Sequence, residues 1–125
     1  MSRVLADELI RFAQTYLGSV WALKLMLTLM QNGERPWTVD ALVRELRASP
    51  LLIGQLLARF EHLGLASNRG SDGWSWQPAT DEVAELSRGV ADAYAVTPFG
   101  VIQAIAEAPP DSIRLFADSF RLRKE

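Results

Sequence analysis

The spacing of apolar residues along the chain predicts a mostly helical protein. An apolar stripe at steps of three and four residues predicts the first helix, with Leu5, Leu9, Phe12 and Tyr16 on one face. Gly18 ends this helix, and a second helix follows from Val20 to about Gln31. Apolar residues cover nearly every face of the second helix, so we expect it to lie at the centre of the core.

Two further helices follow, separated by a short break. Thr38 is an N-cap residue for the third helix, which ends near residue 48. Ser49 and Pro50 begin the fourth helix, because a proline at the first helical position loses no needed hydrogen bond. The fourth helix extends to about residue 63 and ends at Gly64, a residue that suits the left-handed position after a helix.

After the fourth helix, the pattern of the sequence changes from helical spacing to that of a hairpin. Residues 65–69 and 74–78 are predicted to form a hairpin around a loop that contains Gly70 and Gly73. Trp74 and Trp76 alternate onto one side of this hairpin, and we assign them to packing. Further helices begin at Thr80 and at Thr97. A last helix begins at Asp111 or Ser112, with apolar residues on one side: Ile113, Phe116 and Phe120.

Composition restricts the chemistry that this chain can perform. Its 125 residues suit one domain, it has no cysteine, and its single histidine is His62. We therefore expect no enzyme activity, no cofactor and no metal site. The most apolar stretch, Val20–Met30, contains Lys24 and Thr28 and is too short to span a membrane. No signal-peptide core is recognisable, so we expect a soluble, cytoplasmic protein.

The order of these elements resembles a winged helix-turn-helix. The spacing from Ile53 through Leu57 and Phe60, then the Gly64-Leu65 step into the hairpin, is similar to the pattern of winged-helix transcriptional regulators. Residues 38–42 resemble the start of the preceding helix of that motif. The resemblance covers roughly residues 19–78. Its general architecture is similar to that of MarR-like and PadR-like regulators, and no closer family is identified.

The resemblance implies a mainly α (α+β) winged helix-turn-helix with flanking N- and C-terminal helices. All 125 residues then form one domain, in which residues 1–18 and 79–125 flank the winged-helix core. In MarR-like and PadR-like proteins such flanking helices form a dimer interface. A homodimer is therefore what the resemblance implies here.

The same resemblance implies a regulator of transcription that binds double-stranded DNA. Its recognition helix would be residues 50–63 and its wing residues 65–78. The candidate contacts are polar residues of these elements and of the turn before them: Arg44, Arg47, Ser49, Gln55, Arg59, Asn68 and Arg69. We expect Gln55 and Arg59 to face base edges, since amide and guanidinium groups pair with adenine and guanine. Arg44, Arg47 and Ser49 would contact the phosphate backbone. At the wing tip, which carries Asn68 and Arg69, the contact would be with a phosphate or, through Arg69, with the minor groove.

Two alternatives to a DNA-binding regulator stay open, a module that binds another protein and a small-molecule sensor. Residues 34–78 carry five arginines and five acidic residues, so this region is neutral and would bind DNA weakly as a monomer. Leucines 51, 52 and 56 exceed what the core needs, which favours a winged-helix module that binds another protein instead. A third hypothesis is a small-molecule sensor with an aromatic pocket formed by Tyr16, Trp21 and Tyr94.

Overall fold

A computed structural model describes residues 7–31 and 35–106 and shows a mostly helical chain with a small two-stranded antiparallel sheet. The helices are α1 (Asp7–Phe12, continued by a π-helical segment, Ala13–Leu17), α2 (Val20–Gln31), α3 (Val39–Leu46), α4 (Pro50–His62), α5 (Asp81–Val96) and α6 (Pro98–Ala106). The strands are β1 (Ala66–Asn68) and β2 (Trp74–Trp76). The expected mainly α (α+β) composition is confirmed. The predicted last helix, from Asp111 or Ser112, lies outside the described residues.

Polar caps and glycines set the helix boundaries, as the sequence predicts. The side-chain hydroxyls of Thr38, Ser49 and Thr80 accept hydrogen bonds from backbone N–H groups three residues later, at 3.0–3.1 Å. At the other ends, Gly18 and Gly64 have φ values of 76° and 77°. Glycine adopts this left-handed conformation without steric cost, so the chain turns sharply at both positions.

The core is built around α2, as predicted from its all-round apolar pattern. Six residues of this helix are buried: Ala22, Leu23, Leu25, Met26, Thr28 and Leu29. α3 and β2 pack on α2, and so do the π-helical segment and α6. Gly89 of α5 lies against Leu9 of α1, where a Cβ atom would come within 2.7 Å of Leu9 Cδ2. The absence of a side chain at Gly89 therefore allows α1 and α5 to approach closely.

The sheet is extended beyond its two strands by one residue of the α2–α3 connection. β1 and β2 pair antiparallel, with Ser67 opposite Ser75. On the other edge of β2, the N–H groups of Trp37 and Trp74 each donate to the other residue's carbonyl at 2.7 Å. β2 therefore lies between β1 and Trp37. Gly73 precedes this contact with a φ of 114°, and a Cβ atom there would collide with the Trp37 carbonyl.

Candidate nucleic-acid interface

One side of α4 anchors this helix in the core. Ile53, Leu57 and Phe60 are completely buried. The Phe60 ring meets the Trp76 ring edge-on at a centroid distance of 5.9 Å, which joins α4 to β2. α3 packs on α4, and β1 does so as well. The helix is therefore held firmly on its inner side while its outer side faces solvent.

The outer side of α4 presents an exposed stripe at the spacing of one helical face. Leu51, Gly54, Gln55 and Ala58 form this stripe, and all four residues are exposed. The exposed fraction of Leu51 is 71%. No neighbouring atom lies within 4 Å of the place where a Gly54 Cβ would be. The stripe is consequently smooth, mostly apolar and open to a large partner, with Gln55 as its polar member.

The end of α3 and the turn before α4 carry two exposed arginines and a capping serine. Arg44 lies in the last turn of α3. Arg47 ends that helix with a φ of 56°, and its N–H donates to the Val43 carbonyl. Ser49 is exposed, and its hydroxyl accepts from the Leu52 N–H at 3.0 Å. The Ser49 hydroxyl proton is not used by this cap, so it can still be donated to an anionic group.

The hairpin tip uses its polar side chains to shape the turn. Asn68 Oδ1 accepts from the Gly70 N–H at 2.9 Å, an arrangement that begins the tight 3₁₀ turn Gly70–Asp72. Arg69 is exposed, and its Nη1 donates to the hydroxyl of Ser75 at 3.4 Å. Both residues thus lie at the exposed tip, as the sequence predicts, and each already supports the local fold.

Arg59 lies on the flank of α4 and is directed at the first helix. It is half-buried, and its Nη2 donates to the carbonyls of Thr15 at 3.1 Å and Tyr16 at 3.4 Å. Both carbonyls belong to the π-helical segment, close to the point where the first helix ends at Gly18. Carbonyls in a last helical turn lack partners within the helix, so a guanidinium stabilises them. These bonds weigh against the expected contact of Arg59 with a base edge.

Two residues before α3 were not predicted from the sequence to belong to this region. Trp37 pairs with β2, and a single paired residue has no alternating pattern by which to detect it. Arg35 is exposed two residues before Trp37 and adds a cation that the predicted set lacks.

The groove between α2 and α5 contains one of the three aromatic residues of the sensor hypothesis. It includes Tyr94 but neither Tyr16 nor Trp21. Tyr16 instead stacks on Phe12 at 4.8 Å, and Trp21 is 39% exposed beside the Lys24 ammonium.

Comparison with protein-family models, with curated proteins and with solved structures finds no match to this chain.

Within residues 7–31 and 35–106, no helix combines the length and the apolar character needed to cross a membrane. Across the same residues, no three side chains of the metal-binding types come together as a possible ion site. The geometry of α4 and its surroundings therefore carries the functional argument.

Proposed function

We propose that this chain is a winged helix-turn-helix protein that binds double-stranded DNA and regulates transcription. The observation that carries the proposal is the order of elements around the small sheet. α2, Trp37, α3, α4, β1 and β2 follow one another, and β2 pairs with Trp37 on one edge and β1 on the other. That order supports a helix-turn-helix formed by α3 and α4, followed by a wing formed by the hairpin.

In this proposal, α4 is the recognition helix and its N-terminal half enters the major groove. Recognition helices of this class contact base edges mainly with their first residues. Gln55 lies on the exposed stripe of α4, where its amide suits the N6 and N7 atoms of adenine. Gly54 and Ala58 leave room for a close approach, and Leu51 suits a thymine methyl group.

Phosphate contacts would come from the exposed cations and the helix start. Arg44 and Arg47 lie before α4, and Arg69 lies at the wing, so the three flank the recognition helix along the chain. The Ser49 hydroxyl would donate to a phosphate at the start of α4. Asn68 could add its amide nitrogen. Arg59 is left out of this set because of its bonds to the first helix.

The neutral charge of residues 34–78 supports a dimer as the active form. Residues 34–78 carry as many acidic residues as arginines, and non-specific affinity grows with the number of neutralised phosphates. A homodimer doubles the contacts. It would also bind two half-sites about one helical turn apart, or a multiple of that distance.

The test is selection from a random duplex library at about physiological salt. We expect the wild type to enrich a palindromic motif and Gln55→Ala to relax the base preference within each half-site. Gln31→Ala is the matched control, since Gln31 is also an exposed helical glutamine but lies at the end of α2. Failure of the folded wild type to enrich any motif would contradict DNA recognition. Equal motifs from both glutamine variants would contradict recognition through Gln55.

One observation favours a second candidate, a module that binds another protein through α4. The exposed stripe of α4 is mostly apolar, and Leu51 is its largest member. Leu51→Gln separates the two candidates. If α4 enters DNA, this substitution changes the selected motif next to the position of Gln55. If the chain enriches no motif and Leu51→Gln abolishes a stoichiometric protein complex, the second candidate replaces the first.

A further inference from the structure

The groove between α2 and α5 has a volume of about 420 Å³ and a largely apolar wall. α2 contributes Leu27 and Met30 to this wall, and α5 contributes Ala91, Tyr94 and Ala95. The groove lies beside the C-terminal part of α2, and the exposed stripe of α4 contributes no residue to it. It is therefore a surface separate from the proposed DNA interface.

The apolar surface continues along the chain past the end of the groove. Val96 and Phe99 follow Ala95 at the turn from α5 to α6, and their exposed fractions are 82% and 73%. Large apolar side chains that are exposed next to an apolar groove mark a contact surface. An apolar segment long enough to contact both the groove and this turn would therefore fit this surface.

Residues 107–125, which lie outside the described residues, contain a segment with matching properties. Ile113, Phe116 and Phe120 follow one another at steps of three and four, which predicts an apolar helical stripe about 10 Å long. The part of α5 that lines the groove, from Arg88 to Ala95, spans the same seven helical steps.

Charge also matches between this segment and α5. Residues 112–125 contain four basic and two acidic side chains. α5 contains four acidic side chains and one arginine. The C-terminal segment is thus net positive and α5 as a whole is net negative, which favours their association. The two charged residues that line the groove itself, Arg88 and Asp92, balance each other.

The connecting residues can span a distance greater than the length of α6. α6 begins three residues after Ala95, and its nine residues span about 13 Å. Six residues separate Ala106 from Ile113, and an extended chain of that length reaches about 20 Å. A segment tethered this closely has an effective concentration in the millimolar range, which favours its own groove over that of a second copy.

We propose that the groove between α2 and α5 holds the C-terminal segment of the same chain, with Ile113, Phe116 and Phe120 against its apolar wall. A second copy is then not needed to cover this groove.

Engineered cysteine pairs test this proposal in the full chain, which has no cysteine of its own. One pair joins the groove to the segment, with Ala91→Cys and Ala117→Cys. The matched control pair, Ala58→Cys and Ala117→Cys, joins the segment to the exposed stripe of α4. We expect the groove pair to form an intrachain disulfide about tenfold faster than the control pair. Phe116→Ser with Phe120→Ser should remove that advantage.

The outcomes are distinguished by mass and by mixing isotopically labelled and unlabelled chains. A disulfide within single chains, lost on replacement of the two phenylalanines, supports the proposal. Disulfides only between labelled and unlabelled chains would overturn it, because the groove would then hold the segment of a second copy. Equal rates for the two cysteine pairs would also overturn it, since an undocked segment reaches both positions. Each substitution of alanine by cysteine is conservative, and circular dichroism verifies the fold of every variant.

Discussion

Replacement of Arg59 by methionine is expected to destabilise the fold and, if the chain binds DNA as proposed, to leave its DNA preference unchanged. The Arg59 guanidinium donates to two carbonyls of the π-helical segment, at 3.1 and 3.4 Å. Methionine keeps most of the apolar stem but removes the charge and every donor. The two effects of Arg59 can therefore be separated: packing of its stem is retained, and its bonds to the first helix are lost.

The expected loss follows from the geometry of these bonds. A hydrogen bond to a charged group contributes about 1.5–3 kcal/mol, and a cation at a helix C-terminus adds about 0.3–1 kcal/mol. The bond to Thr15 is exposed and the bond to Tyr16 is long, so we count them together as one good bond. Arg59→Met should then lower the free energy of unfolding by about 1–3 kcal/mol.

Urea unfolding, followed by circular dichroism, measures this loss as a fall of about 1 M in the midpoint. Arg44→Met is the matched control, because Arg44 is exposed in the last turn of α3. It should change stability by less than about 0.5 kcal/mol. In the proposed DNA binding, Arg44→Met should have the larger effect and should lower the slope of log affinity against log salt concentration by about one. Arg59→Met should leave the selected motif unchanged. A wild-type midpoint for Arg59→Met together with an altered motif would refute this reasoning.

Three further substitutions test how α4 and the hairpin are held. Gly73→Ala should cost about 2–4 kcal/mol in urea unfolding, because it combines a φ of 114° with a collision against the Trp37 carbonyl. Gly70→Ala has open space and should cost less, so equal losses would count against the tight contact between Gly73 and Trp37. Phe60→Ala should cost about 3–5 kcal/mol and shift tryptophan fluorescence, since it opens a cavity beside Trp76. Ser49→Ala removes the N-cap of α4 and should cost about 1 kcal/mol, and a loss below about 0.3 kcal/mol would show that the cap is dispensable.

Local chemistry explains which parts of the fold could be predicted. The start of α4 depends on Ser49 and Pro50, and its end depends on Gly64, all of which act within one helical turn. The inner side of the helix was predicted correctly because Ile53, Leu57 and Phe60 repeat at the helical period. The sequence therefore determines where α4 lies along the chain and which of its sides is buried.

Contacts between distant residues explain what could not be predicted. Arg59 lies at the boundary between the buried and exposed sides of α4, so helical periodicity leaves its partner undetermined. Two of its partners, the carbonyls of Thr15 and Tyr16, are more than forty positions away in the chain. Likewise, Trp37 pairs with a residue of the hairpin through its backbone, and backbone pairing leaves no trace in side-chain type.

The long-range contacts of Arg59 and Phe60 divide α4 into two parts with different roles. The C-terminal half is tied to the first helix by Arg59 and to the sheet by Phe60. The N-terminal half carries the exposed stripe from Leu51 to Ala58 and has the turn with Arg44 and Arg47 beside it along the chain. A partner that binds the N-terminal half meets a surface whose position is fixed from the other end. Substitutions on the exposed stripe of α4 should therefore alter recognition, whereas substitutions at residues 59 and 60 should alter stability.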